Sequence, residues 1–273
     1  MERGLPRVDV VRQEETTTAK RHVDVNCDMS EGFGTWMFGE DIDAQMIPLV
    51  SSINVAAGFH AGDPTIIERS VGMAKEHGVG VGVHPGFRDL VGFGRRHIEA
   101  TATELVNDCL YQLGAVREFT RLHGLALQHF KLHGALYMHA ARDEEFSTAL
   151  VEALQVVDAE LPVLVMAGSV VEQVAAGVGL PVVREFYADR QYGDNGQIVF
   201  TRNVRSLDPD QTARKVLQAC QDGTVATVDG TTVTVEFESI CIHSDTRGAF
   251  ELMSRSREVL DQAGIEVRSF AKT

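Results

Sequence analysis

The sequence predicts one α/β domain built as a (β/α) barrel, and three observations carry that expectation. Short β-type runs alternate with helix-type stretches over nearly the whole chain, and no low-complexity or Pro-rich linker divides them. Alternation of this kind builds parallel sheets with helices packed on their faces. The third observation chooses the barrel. Polar or ionisable clusters follow at least six separate β-type runs. A doubly wound sheet gathers its ligand on the few loops at one switch point, whereas every strand of a barrel ends on the same face. The domain is expected over 22–273, after a flexible extension at 1–21.

Taken in order, HVDVNC at 22–27 alternates valine with polar residues and reads as the first strand, and SINVA at 52–56 as the second. Asp63-Pro64 opens a helix, with Asp as cap, Pro at the first helical position and Gly78 as its stop. The third strand, 79–83, contains Gly80 and Gly82, which permit close backbone approach. Thr101 and Glu104 form a capping box before a helix that runs to about Gly124. A fourth strand is expected over 125–132. Phe146, Leu150, Ala153, Leu154 and Val157 then recur at helical spacing, the mark of one buried face. Strands follow at 162–166 and 181–184, and a helix starts at Asp208-Pro209. The runs at 224–228 and 231–237 flank Asp229-Gly230 and predict an inserted β-hairpin. A strand at 239–243, a helix over about 246–263 and a last strand near 265–268 complete the pattern.

Composition narrows the function. The 273 residues carry 25 Lys and Arg against 39 Asp and Glu, a formal charge of −14, which repels a polyanion and argues against nucleic-acid binding. The first twenty residues lack the apolar core of a signal peptide, and no apolar run is long enough to span a bilayer. Cys27, Cys109, Cys220 and Cys241 lie far apart with no C-x-x-C pair, which suits a reducing cytoplasm. No phosphate-cradling G-x-x-x-x-G-K-[ST] loop, dinucleotide fingerprint, G-x-S-x-G elbow or H-E-x-x-H helix is present.

The chemistry-bearing residues sit just past the apolar runs. The first run leads into Asn26, Asp28 and Glu31, the second into His60 and Asp63, and the third into His84, Asp89, Arg95 and Arg96. Lys131 and His133 follow the fourth, Asp189 and Arg190 the sixth, and His243 and Asp245 the seventh. Of the ten histidines, His22, His77, His97, His123, His129 and His139 read as structural or surface groups. The other four occupy equivalent strand-end positions, which structural accident explains poorly. Asp63 is accounted for by capping alone, while Arg95-Arg96, in the glycine-rich VGFGRR, is read as an anion contact.

DVNCDMSEGFGTW at 24–36, NVAAGFHAGDPT at 54–65, VGVHPGFRDLVGFGRR at 81–96, LYQLGAV at 110–116, KLHGALY at 131–137, YADRQY at 187–192 and ICIHSDTRGA at 240–249 closely resemble the LamB/YcsF family of 5-oxoprolinase A subunits. The resemblance runs in order from about Val23 to Val267. It implies a seven-stranded barrel like that of polysaccharide deacetylases and related glycosidases. It also implies ATP-dependent opening of 5-oxoproline, or another small lactam, to the amino acid, with Mg2+ and with separate B and C subunits. Ser30 stands where the family pattern has Gly, and Ala57 where it has Cys. Leu132, Met138, Ser244 and Arg247 depart from it as well. Asp28, His60, His84, Lys131 and His133 are the catalytic candidates. Asn26, Glu31, Asp63, Arg95, Asp189, Arg190, His243 and Asp245 are the candidates for substrate binding. Two other readings stay open: a metal-dependent hydrolase or deacetylase with Asp28, His60 and His84 as ligands, and a non-catalytic binding subunit. Whether ATP binds this chain, whether a metal is bound and whether the chain self-associates are not legible.

Overall fold

The computed structural model describes residues 20–37, 42–199, 201 and 206–270. Its strands are β1 (His22–Met29), β2 (Gly32–Phe33), β3 (Trp36–Met37), β4 (Ser52–Ala56), β5 (Gly80–His84), β6 (His129–Phe130), β7 (Val163–Met166), β8 (Val182–Tyr187), β9 (Thr224–Ala226), β10 (Thr232–Thr234), β11 (Ser239–Cys241) and β12 (Glu266–Val267). The helices are α1 (Asp43–Met46), α2 (Pro64–His77), α3 (Ala102–Leu122), α4 (Gly134–Ala140), α5 (Glu144–Asp158), α6 (Val170–Val178), α7 (Pro209–Asp222) and α8 (Ala249–Gln262).

Seven strands, β1, β4, β5, β6, β7, β8 and β11, pair in parallel in that order, and β11 returns to β1 to close the barrel. β12 joins the outer start of β1 through His22 and Val23. The closure joins Asp24 to Ser239, Val25 to Ile240 and Asn26 to Cys241. Because successive side chains of a strand point to opposite faces, β1 sorts its residues cleanly. Val23, Val25, Cys27 and Met29 belong to the apolar core under the helices, while Asp24, Asn26 and Asp28 are buried among polar partners from other strands inside the barrel.

The helix starts follow the local chemistry. Asp63 accepts from the amides of Thr65 and Ile66, and Gly78 ends α2 at φ 67°. Thr101 and Glu104 form the capping box of α3, and the Asp208 side chain caps α7. In α5, Phe146, Leu150 and Leu154 are buried, whereas Val157 is 39% exposed, so the buried stripe ends one turn earlier than its spacing predicts. β9 and β10 pair antiparallel as the expected hairpin.

Three expectations need correction. The fourth strand is only His129–Phe130, because its far side meets β7 through Phe130 alone. Its neighbours Gln128 and Lys131 still donate to the carbonyls of Val81 and Val83. β8 runs on to Tyr187, three residues past the expected end, and so carries Glu185 and Tyr187 into the barrel. β2, β3, α1, α4 and α6 were not foreseen; each is short. The expected extension at 1–21 lies outside the described residues except for its last two. Of these, Lys20 is docked, its amide donating to the Cys220 carbonyl. Among the described residues, no helix is long and apolar enough to cross a membrane.

Candidate active site at the carboxyl end of the barrel

The barrel interior is polar in layers. Lowest, Asp24 accepts from the hydroxyls of Ser51 (2.7 Å), Ser52 (2.6 Å) and Ser239. Burial pushes its carboxyl up to about 6 despite those three hydroxyls. One layer higher, Asn26 uses its whole amide. It donates to Glu185 (3.1 Å) and Ser239 (2.7 Å), and accepts from Asn54 (2.7 Å) and Lys131 (3.2 Å). Asn54 in turn accepts from His129 Nε2 (2.6 Å). A Cβ at Gly82 would collide with that imidazole, which is why β5 has glycine there.

Lys131 is the hub of the next layer. Its ammonium lies 3.0 Å from Asp28 Oδ1, 3.0 Å from Glu185 Oε1 and 3.2 Å from Cys241 Sγ. Burial works against the charge, but Asp28 and Glu185 outweigh it and hold Lys131 well above the ordinary lysine range. Asp28 is the counterpart. Burial raises its carboxyl, yet His84, Lys131 and His243 hold it well below the usual carboxylate range.

Above this pair lie three imidazoles. His84 Nδ1 faces the Lys131 carbonyl (2.9 Å), and His133 Nε2 faces the Phe93 carbonyl (2.8 Å). A carbonyl can only accept, so both of those nitrogens carry hydrogen. The remaining nitrogens, His84 Nε2 and His133 Nδ1, face each other at 3.0 Å. His60 lies flat on His133, with ring centres 3.7 Å apart and planes 4° from parallel. Neither nitrogen of His60 has a hydrogen-bond partner, although the residue is 1% exposed. Burial, reinforced by neighbouring imidazoles, holds His60 and His133 well below the ordinary histidine range. Glu31 completes the group, with Oε1 3.6 Å from His133 Nδ1 and 3.9 Å from His60 Nε2. Burial, with Asp28 and Asp245 nearby, pushes its carboxyl well above the usual range. The loop that closes over these rings is tight. Phe93 takes a left-handed φ of 53°, unusual for a bulky residue, and a Cβ at Gly94 would stand 2.7 Å from His133.

The outer ring comes from the far side. Asp189 accepts from the His243 amide (3.2 Å) and from Nδ1 (3.0 Å), so His243 presents Nε2 inward, 3.7 Å from Asp28. Arg190 pairs with Asp189 (2.7 Å), and Arg95 with Asp245 (2.7 Å). Burial opposes the charge on Asp189, while Arg190 and His243 hold it well below the carboxylate range. Asp28, His84, Arg95, Lys131, His133, Tyr137, Tyr187, Arg190 and His243 line one pocket.

The expected catalytic candidates Asp28, His84, Lys131 and His133 therefore share this pocket, and His60 stands directly behind His133. Arg95, Arg190 and His243 join them, while Asp189 and Asp245 hold members of the ring in place. Asn26 lies a layer deeper, with every donor and acceptor used inside the protein. Asp63 is a cap: its oxygens meet the amides of Gly34, Thr65 and Ile66. Arg96 is bound to Asp89 rather than presented to an anion. His129 is a fully buried interior group and not a surface one; its strand is shorter than expected and its ring points inward.

Glu185 lies one residue past the predicted end of the sixth strand at Arg184, and so falls outside the site expected from sequence. Alternation with Val183 and Tyr187 was the available signal. Lys215 was missed too. Its ammonium donates to the carbonyls of Tyr187 (2.9 Å), Ala188 (3.1 Å) and Arg190, pinning the loop that carries Asp189 and Arg190. Burial pushes Lys215 down to about 7, yet three carbonyl acceptors call for the three hydrogens of the charged form.

Among the described residues, two groups of donor atoms are close enough to hold a cation. Glu31, His60, His84 and His133 form one, and Asp28, Cys241 and His243 the other. The trio expected from sequence, Asp28, His60 and His84, divides between them.

Known proteins agree with this architecture. The sequence profile of the LamB/YcsF family matches residues 23–273. The chain is 58% identical over 247 residues to a 5-oxoprolinase A subunit of Pseudomonas aeruginosa, covering 90% of this chain and 98% of that protein. It is 42% identical over 254 residues to the 5-oxoprolinase A subunit of Rhodopseudomonas palustris, covering 92% and 99%. The crystal structure of a lactam utilization protein from Thermus thermophilus superposes with a TM-score of 0.85 at 43% identity, covering 91% of this chain and 100% of that one.

Proposed function

This chain belongs to the LamB/YcsF family, and from that premise we propose that it is the A component of an ATP-dependent 5-oxoprolinase. The substrate is 5-oxoproline, the product L-glutamate, and the partners are separate B and C subunits. A five-membered lactam is a poor electrophile because amide resonance must be broken. Transfer of a phosphoryl group from ATP to the amide oxygen removes that resonance. ADP leaves in that transfer. Water then adds to the ring carbon, and the C–N bond breaks as the nitrogen takes a proton. A second water cleaves the resulting acyl phosphate to release phosphate and the free carboxylate. ATP enters with Mg2+. Since the chain carries no phosphate-cradling loop, the nucleotide cradle is assigned to the assembled enzyme.

One observation carries the reading: an Asp-oriented imidazole shares a pocket with three cations. His243, turned by Asp189, faces that pocket together with Lys131, Arg95 and Arg190. His243 Nε2 is the base for water, an arrangement that generally contributes about 10²–10⁴-fold. Arg95 and Arg190 meet the substrate carboxylate and the developing phosphate charge. Asp28, kept ionised by Lys131, steadies the cation formed on His243. His84 and His133 line the pocket on the other side of Asp28, and the proton that His243 takes from water is the one passed to the leaving nitrogen.

The test is reconstitution. The three-subunit complex should release glutamate and phosphate together from 5-oxoproline and ATP. The isolated chain should turn over the lactam slowly or not at all. Rapid ring opening by this chain without ATP would contradict the coupled reaction.

A further inference from the structure

The two imidazole nitrogens that face each other pose a problem of charge. With hydrogen on His84 Nδ1 and His133 Nε2, the neutral rings direct two lone pairs at one another across 3.0 Å. Something positive must sit there. A proton on His84 Nε2 would settle that pair and would also face Asp28 Oδ2, 3.3 Å away. It would leave Glu31 Oε1, 3.6 Å from His133 Nδ1, buried without a hydrogen-bond partner at appreciable cost.

We propose that Glu31, His84 and His133 bind one divalent transition-metal ion, of the Zn2+ or Co2+ kind, at the rim of the barrel. Ligand bonds of about 2.0–2.2 Å put neighbouring donor atoms roughly 3.0–3.5 Å apart. The His84–His133 separation is 3.0 Å and the Glu31–His133 separation 3.6 Å. Two imidazoles and a carboxylate are borderline donors, suited to zinc or cobalt rather than to Mg2+. The Phe93 carbonyl supplies the outer hydrogen bond that fixes the His133 tautomer for ligation. His60 is the adjustable member. Its ring lies parallel to His133, so its lone pair meets the same ion only after the ring turns. The second donor group, Asp28, Cys241 and His243, is not such a site. The Lys131 ammonium, 3.0 Å from Asp28 and 3.2 Å from Cys241, already serves as its cation.

Binding of the ion stands independently of the reaction. Its use, Lewis acidity beside the lactam carbonyl, rests on the proposed 5-oxoproline opening. The test starts with the full chain purified without chelator, its metal content measured and the stripped protein titrated with Co2+ and Zn2+. The expected result is one ion per chain and a visible Co2+ absorption band. Glu31→Gln and His133→Ala should each weaken binding by about 100-fold or more, at or beyond the cost of losing an outer-shell partner, and the remote Asp24→Asn should change it by less than about threefold. No uptake by folded wild-type protein, or uptake indifferent to both ligand variants, overturns the site. Turnover by the stripped complex is read separately. Full activity without the ion overturns its proposed use. Ion binding together with no lactam turnover upholds the site and removes the lactam reading.

Discussion

At the bottom of the barrel interior Asp24 meets Ser51, Ser52 and Ser239, while at the top Glu31 meets His60 and His133. Both groups are buried, and both contain a carboxyl that burial has raised. They differ in completion. Each Asp24 oxygen is met by a hydroxyl, whereas Glu31 Oε1 and both His60 nitrogens have no hydrogen-bond partner. A saturated polar layer rigidifies a fold, and an unsaturated one holds unspent interaction free energy for something else to use. Burial alone does not separate the two groups; the hydrogen bonding of their carboxyls does.

The largest effect is expected at the hub between the two layers. Lys131→Ala leaves Asp28 and Glu185 buried without their cation, so denaturation should show a loss of about 3–5 kcal/mol. Turnover of the assembled complex should fall by about 100-fold or more as well. A variant that kept both stability and turnover would erase the distinction between the layers.

Next comes the pH response of the lower layer. The Asp24 carboxyl is raised from 3.8 to about 6, so the native chain holds the proton more tightly than the unfolded chain. Its contribution to stability is therefore full below pH 3.8 and lost as pH rises through about 6. The whole swing is on the order of 3 kcal/mol, and Asp24→Asn should abolish it. Denaturant titrations of wild type and variant at about pH 4.5 and about pH 7.5 check this, because the stability difference between them should shift toward the variant at the higher pH. A difference that did not move would show that Asp24 is not raised.

The smallest effect concerns Ser30, which follows β1 at φ 64° with its hydroxyl unpartnered. A left-handed backbone is costly for any residue with a Cβ, so Ser30→Gly should stabilise the chain by about 1 kcal/mol. Thermal denaturation reads it, and an unchanged or lower midpoint would count against the strain. The family pattern has glycine there, and the left-handed φ gives the physical reason.

Much of this was legible in the sequence, for local reasons. The D-V-N-C-D alternation of β1 dictates which side chains enter the barrel, and Asp63, Thr101 and Asp208 announce helix starts through hydrogen bonds to nearby amides. The strand-end histidines were found because register alone carries them to one face. What was not legible depends on partners distant in sequence. The stacking of His60 on His133 and the anchoring of one loop by Lys215 arise from tertiary packing, and the locking of Arg96 by Asp89 from the shape of one irregular loop. α4, only seven residues long, offers too short a period to read.

Turnover of 5-oxoproline by the assembled complex, with His133→Ala and Asp24→Asn compared side by side, separates the two ends of the barrel. The expected result is a loss of about 100-fold or more for His133→Ala and a change of less than about threefold for Asp24→Asn. Equal losses, or a greater loss for Asp24→Asn, would contradict it and place the chemistry elsewhere than at the unsaturated end of the barrel.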